Sequence, residues 1–460
     1  MTASTTTPPD QPETPRTPPP MPAGPKARFP GELMWRLAKD RLPFFQELAR
    51  KYGDVVPMRI AGQTIVLLRH PDDIQDLLVT HQKRFAKGRA LERAKELIGD
   101  GLLTSEGSFH LRQRRLVQPA FHRARIAGYA TEMASAAGTM RAQWQSGQTF
   151  DVNDAMMRLT LQVVAQTLFG ARLEQEATAI GQALTHAFES FEFGFGLLAT
   201  IRSRLPTKRR RRFLAARELL DDIIYRLIEE RRRSGTDTGD LLSMLLMAQD
   251  DEGDGTGMSD LQLRDELLTL FIAGHETTAN ALSWAWLALA RNPDAEAALH
   301  AEVDRVLGDR LPTADDLAQL PYTRAVMAEA MRLYPPAYII GRRSLTSYEV
   351  GGVRFPTGTI FLCSQFLAHR DPRWWPEAER FLPERWLVPA EDRPKFAYFP
   401  FGAGTRICVG EQFAWMESTL MLATLAAWWR VRVDGPDPAF DPIFTLRPSG
   451  GLPVRLERRF

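Results

Sequence analysis

Apolar residues recur every three to four positions over 213–234, 259–292 and 315–333, and these stretches are predicted helices. The second is the longest. Ser259 and Gln262 form a capping box at its start, no proline interrupts it, and Asn292-Pro293 ends it. At about 1.5 Å per residue it spans roughly 50 Å, enough to cross a whole domain. Segments 54–60 and 64–70 alternate between apolar and polar residues and read as a hairpin, while 354–360 and 443–456 predict further small sheets. The fold class is therefore mainly α with small β-sheets, and no internal repeat is present. Residues 1–28 follow neither period. They are crowded with Pro and Thr and nearly free of large apolar side chains, so this segment is expected to be disordered and 29–460 to form the folded part.

The middle of the longest helix contradicts its own propensity. Ala273-Gly274-His275-Glu276-Thr277-Thr278 sets a glycine, an acid and two threonines where a helix former belongs. Glycine costs about 1 kcal/mol relative to alanine there, and threonine hydroxyls compete for backbone carbonyls and can bend the helix. Such a conflict marks a functional site. His275-Glu276 could open a zinc-binding pair, but the second histidine would fall at 279, which is Ala.

Different chemistry lies toward the carboxyl end. Phe401-Gly402-Ala403-Gly404-Thr405-Arg406-Ile407-Cys408-Val409-Gly410 places a lone cysteine behind two glycines and an arginine, just before the helix-like run from Glu411. Gly402 and Gly404 allow positive φ and close approach to a flat cofactor. Cys408 sits near the amino end of the next helix, where the dipole favours an anion. A cysteine thiolate on haem iron favours breaking an O–O bond, and Arg406 can serve a haem propionate. Glu329 and Arg332, three apart, share one helical face and can pair.

The run 401–410 resembles the haem-binding signature of the cytochrome P-450 superfamily, F-G-x-G-x-R-x-C-x-G, at every fixed position. Glu329-Ala330-Met331-Arg332 resembles its E-x-x-R helix, 383–385 its P-E-R segment, 273–278 its oxygen-binding groove, and His110 to Arg114 its C-helix, with histidine in place of the usual tryptophan. The resemblance covers about 30–458 and implies the cytochrome P-450 fold, a single large haem-enclosing domain. It implies haem b with Cys408 as iron ligand, and Arg406, His110, Arg114 and Arg342 toward the propionates. Phe401, Gly402 and Gly404 would shape the cofactor loop, and Ala273 and Gly274 would face the cofactor. Thr277 and Glu276 would relay protons toward bound dioxygen, since the pocket is otherwise dry. Glu329, Arg332 and Arg385 would form a buried structural cluster under the haem, tolerable only when fully hydrogen-bonded.

The implied activity is monooxygenation: dioxygen and two electrons, with one oxygen atom inserted into a large apolar small molecule such as a fatty acid, terpenoid or carotenoid. By family position, its pocket draws on 85–103, 186–205, 271–278 and 336–341, with Phe188, Phe191, Phe193 and Phe195 as apolar candidates. A peroxide-using peroxygenase and a non-catalytic haem sensor are the rival readings; intact Thr277 and Glu276 favour the dioxygen route.

Composition changes little in this picture. The chain has 460 residues, 44% of them hydrophobic, and length alone suggests about three domains; the distance between the two candidate haem-facing segments argues for one. Cys363 and Cys408 are the only cysteines, so no disulfide framework exists. A net charge of +2 gives no reason to expect nucleic acid. The basic run 208–212 reads as a solvated end preceding the helix from Phe213. The acidic run 250–255 imitates half a calcium loop but offers Leu261 where Glu is needed, and reads as a flexible loop. No apolar run is long enough for a membrane anchor, so a cytoplasmic enzyme is expected. Its electrons would come from NAD(P)H through a separate ferredoxin (or flavodoxin) and reductase, with Arg112, Arg115, Arg123 and Arg125 as candidate contacts.

Overall fold

A computed structural model describes residues 22–171, 176–189, 207–250 and 255–460. The long amphipathic run becomes the helix Asp260–Arg291, and its capping box is formed as the sequence predicts. This helix packs against Val152–Phe169, Lys208–Ser234, Pro321–Leu333 and Glu411–Ala426. Gly274 permits the closest of these approaches: a Cβ there would stand 3.1 Å from Val164 Cγ2. The main hydrophobic core is built from these helices, with Trp284, Trp286, Leu420 and Val164 among its fully enclosed members.

The predicted hairpin is β1 (Val55–Ile60) with β2 (Gln63–Leu68), antiparallel. It forms the edge of a five-stranded sheet in the order β1, β2, β8 (Ile360–Cys363), β5 (Ile340–Ser344), β3 (Phe85–Lys87). Only the β2–β8 pair is parallel. A second sheet has the order β4 (Thr149–Asp151), β12 (Pro453–Arg458), β9 (Trp429–Arg432). Two hairpins complete the strands: β6 (Tyr348–Val350) with β7 (Val353–Phe355), and β10 (Phe440–Pro442) with β11 (Leu446–Pro448).

Three elements depart from the sequence pattern for identifiable reasons. The helix expected over 315–333 is a 3-10 turn, Ala314–Gln319, followed by a separate helix from Pro321, whose missing N–H suits the first turn. The strand expected over 354–360 is split between β7 and β8, because Pro356 cannot donate to a ladder and Gly358 turns at φ 84°. The basic run 208–212 lies inside a helix rather than before it, since Thr207 caps that helix by accepting from Arg210 N–H at 3.1 Å. At the amino end, 1–21 lie outside the described residues. Residues 22–28 are described, and Gly24 lies so close to the Pro57 carbonyl that a Cβ would stand 1.9 Å from its oxygen.

The expected Glu-Arg-Arg cluster is present, with Glu329 and Arg332 fully enclosed and Arg385 at its edge. Arg332 donates bidentately to Glu329 (2.8 Å twice), and Arg385 Nε (3.1 Å), Trp386 Nε1 (2.8 Å) and the Leu382 N–H (3.0 Å) complete the carboxylate. Arg332 also donates to the His369 carbonyl at 2.8 Å, and His369 Nε2 accepts from Phe399 N–H at 3.0 Å. That second bond requires a neutral ring, which burial enforces by holding His369 well below the usual histidine range. The cluster is thereby tied through one imidazole to the segment that leads into Cys408. Arg332→Met strands a buried carboxylate, and denaturant unfolding should show a loss of about 3–5 kcal/mol. A loss under about 1 kcal/mol would mean that the cluster does not hold this region together.

Candidate active site

The loop carrying Cys408 takes its shape from Gly402 (φ 70°) and Gly404 (φ 69°). A Cβ on Gly404 would stand 2.2 Å from the Leu78 carbonyl oxygen, so this position excludes every side chain. The close approach lets Gln82 Oε1 accept from both the N–H (2.7 Å) and the hydroxyl (2.9 Å) of Thr405. Phe401 O accepts from Cys408 N–H at 2.9 Å and closes the loop, and Gly410 caps the helix Glu411–Ala426.

Cys408 has accessible side-chain surface, yet the protein around it is dense enough that burial pushes its thiol up to about 11. The Gly410 N–H and Arg114 oppose the shift and do not overcome it. Both act in the direction expected at a helix amino end. Ionisation of Cys408 calls for a bound cation.

Basic side chains converge beside this loop. Arg406 donates to Ser105 O at 2.7 Å and pairs with Glu106; Arg114 donates to Ile407 O at 2.7 Å and acts electrostatically on Cys408. Burial, then Arg406, Lys87 and Arg114 in turn, hold His110 down to about 3. Arg342, on β5, is lowered by burial and by Arg406. The register that pairs Lys87 with Arg342 across β3 and β5 brings in a fifth cation absent from the sequence reading. Lys87 donates to Leu102 O at 3.0 Å and is pushed down to about 6, chiefly by burial and next by Arg406. Glu106 is the carboxylate that offsets Lys87, Arg342 and Arg406 together. Lys87 and His110 are held largely neutral beside Arg114, Arg342 and Arg406, an arrangement that would suit anions able to restore their charge.

The second half of the site is on the long helix. From Leu263 to Leu289 every residue is buried except Ala273, Gly274 and Thr277, which share one face and open together. Thr277 donates to Ala273 O at 2.7 Å and Thr278 to Gly274 O at 3.2 Å, and the helix runs through them unbroken. Glu276 is buried one residue away; burial raises its carboxyl to about 7, and a 2.6 Å hydrogen bond from Thr445 tempers the rise. His275 is buried and pushed down to about 4. Glu417, from the helix that follows Cys408, is raised to about 8 by burial and tempered by Thr278, joining the two halves.

A cytochrome P450 family model matches residues 19–451. The chain belongs to the cytochrome P450 family. Cyclooctatin synthase of Streptomyces melanosporofaciens is 42% identical over 403 residues, 86% of either chain. Cyclooctat-9-en-7-ol 5-monooxygenase of the same organism is 39% identical, covering 83% of each, and pentalenene oxygenase of Streptomyces avermitilis 35%, covering 89% of this chain and 90% of its own. The protein is accordingly a cytochrome P450 monooxygenase, a haem-dependent oxidoreductase.

The residues present fit haem. The donor set offers one cysteine sulfur with cations for two propionates, and the open face of Ala273 and Gly274 presents no bulky side chain. Elsewhere the structure changes the assignments. Asp250, read as part of a flexible loop, is buried, and its carboxylate engages Arg115 at 2.9 Å and Arg112 at 3.4 Å, two of the expected carrier contacts. Phe191, Phe193 and Phe195 lie outside the described residues, as does the side chain of Phe188. No described helix is long and apolar enough to cross a membrane.

Gly404→Ala drives its Cβ onto a fixed carbonyl, whereas a Cβ on Gly410 (φ −88°) would meet nothing nearer than Phe121 at 3.7 Å. Purified Gly404→Ala should carry about tenfold less haem per chain than Gly410→Ala, a difference near 1.4 kcal/mol in holding the loop. Equal haem content would show that the loop is not shaped by this contact.

Proposed function

We propose that Cys408 is the proximal ligand of haem, that Glu276 and Thr277 deliver protons on the opposite face, and that the substrate is a terpenoid. The observation that carries the first two roles is the pairing of one cysteine beside Lys87, His110, Arg114, Arg342 and Arg406 with a helix whose buried stretch, Leu263 to Leu289, opens only at Ala273, Gly274 and Thr277. A thiolate-bound haem supplies activation of dioxygen for insertion of one atom. The chain's part is to hold, orient and protonate. Arg406 and Arg342 are poised toward propionates, with Arg114 bracing the cysteine loop. Thr277 keeps its hydroxyl on the Ala273 carbonyl until a stronger acceptor enters the groove. Glu276, at about 7, exists in both protonation states near neutrality, as a general acid should.

The relatives' names support the substrate class: one acts on cyclooctat-9-en-7-ol and another on pentalenene, both terpenoids. Electrons would come from NAD(P)H through a separate iron–sulfur or flavin carrier. Arg123 and Arg125 are exposed and suit an acidic partner, whereas Arg112 and Arg115 are committed to Asp250.

The test is dioxygen consumption with a ferredoxin, its reductase, NADPH and a polycyclic terpene alcohol. Oxidised product should require every component, and Thr277→Ala should form about 100-fold less product while reducing equivalents pass to hydrogen peroxide. Full coupling in Thr277→Ala would remove that residue from proton delivery. Failure of every terpenoid to produce a spin-state shift in the haem-loaded protein would overturn the substrate class.

A further inference from the structure

Behind Glu276 runs a buried chain of polar side chains whose hydrogen-bond direction can be worked out from one fixed point. Ser283 Oγ lies 2.7 Å from the Ala279 carbonyl, which can only accept, so the Ser283 proton is committed there. Ser283 Oγ must then accept from Asn153, whose Nδ2 lies 3.1 Å away. This fixes which end of the Asn153 amide is nitrogen, an assignment otherwise open to a flip. The same Nδ2 donates to Asn280 Oδ1 at 3.0 Å, so Asn280 turns its own Nδ2 to Thr445 Oγ1, also at 3.0 Å. Thr445, with a lone pair filled by Asn280, gives its single proton to Glu276 Oε1 at 2.6 Å. Asn280, Ser283, Thr445 and Glu276 are all buried, while Asn153 is half-buried. Asn153, Asn280 and Thr445 each donate one step toward Glu276, while Ser283 donates to the Ala279 carbonyl, and among the described residues Glu276 Oε2 has no hydrogen-bond partner.

We propose that Thr445 and Asn280 are positioning residues: they occupy Oε1 of Glu276 as an acceptor and so confine its transferable proton to Oε2. The inference rests on the reading of Glu276 as proton donor. A carboxyl oxygen that carries its own hydrogen accepts more weakly than a carbonyl oxygen, so the 2.6 Å bond into Oε1 favours the proton on Oε2. The proton occupies the oxygen that is unpaired, and that oxygen is the one able to release it. Asparagine amides do not conduct protons, so the row orients and does not resupply. The charged groups near Glu276 are Arg447 and Asp441 from the β10–β11 hairpin, themselves paired at 2.8 Å. His275 beside it on its own helix is held neutral, and Glu417 approaches Thr278 from the helix Glu411–Ala426. The facing helix Val152–Phe169 contributes the uncharged Asn153.

Infrared spectra of the holoenzyme across pH test this directly, with the band missing in Glu276→Gln assigning the protonated Glu276 carboxyl. The wild-type band should titrate near the value of about 7. Thr445→Val keeps the shape and removes the donor that favours the ionised form, so the midpoint should move up by about one pH unit, a tenfold change in proton affinity. Its C=O stretch should also move to higher frequency, as expected for a carbonyl oxygen released from an acceptor role, and Thr445→Ser should restore both. Asn280→Leu frees the Thr445 proton to turn elsewhere and should reproduce the Thr445→Val spectrum in part. A Thr445→Val band unchanged in frequency and midpoint would overturn the proposal whatever the turnover. Loss of the donor role of Glu276 would appear separately, as Glu276→Gln forming product with full coupling.

Discussion

A crowd of basic side chains, offset chiefly by the single carboxylate of Glu106, is the constraint around which this site is arranged. Lys87, His110 with Arg114, Arg342 and Arg406 come from four separate elements, and Arg406 depresses the proton affinity of Lys87, His110 and Arg342 alike. Evolution could have replaced such a cluster by apolar packing of the same volume at little cost in stability. Its retention makes sense if an anion sits there in the working enzyme, and haem brings two. The same logic applies to Cys408. Burial makes its thiolate unfavourable by itself, and a cation bound at the sulfur would offset that cost.

The Glu329–Arg332 cluster is the complementary case, in which buried charge is met entirely within the protein. Arg332 donates to Glu329 and to the carbonyls of His369, Ala378 and Arg380, so its guanidinium is enclosed by acceptors. Such a knot adds little net stability over apolar packing, but it cannot be half removed. Through His369 and Phe399 it sets the entry of the cysteine loop, and through Gly404 and Gln82 the loop is fixed from the other side. A loop held at both ends can keep a sulfur in place while the groove above it exchanges substrate.

Much of this was legible in the sequence because local rules and chemistry coincide there. The capping box at Ser259 and Gln262 and the two glycines before Cys408 are short-range devices, readable without a fold. The apolar period running through 315–333 concealed the break at Pro321. What remained hidden depends on register and tertiary approach. Lys87 gains meaning only when β3 pairs with β5. Thr445 reaches Glu276 from a position 169 residues away, and nothing in its own neighbourhood announces this. Asp250 looked like part of a solvated acidic run, because composition cannot tell which one of several carboxylates will be buried between arginines.

The central claim is that Cys408 binds haem iron as a thiolate, and the most direct measurement is the absorbance difference between the dithionite-reduced protein with and without carbon monoxide. A Soret band at the long-wavelength position of a thiolate-ligated ferrous adduct, abolished in Cys408→Ala, is the predicted result. A band at the shorter wavelength of histidine ligation in freshly prepared protein, or one that survives Cys408→Ala, would contradict the account.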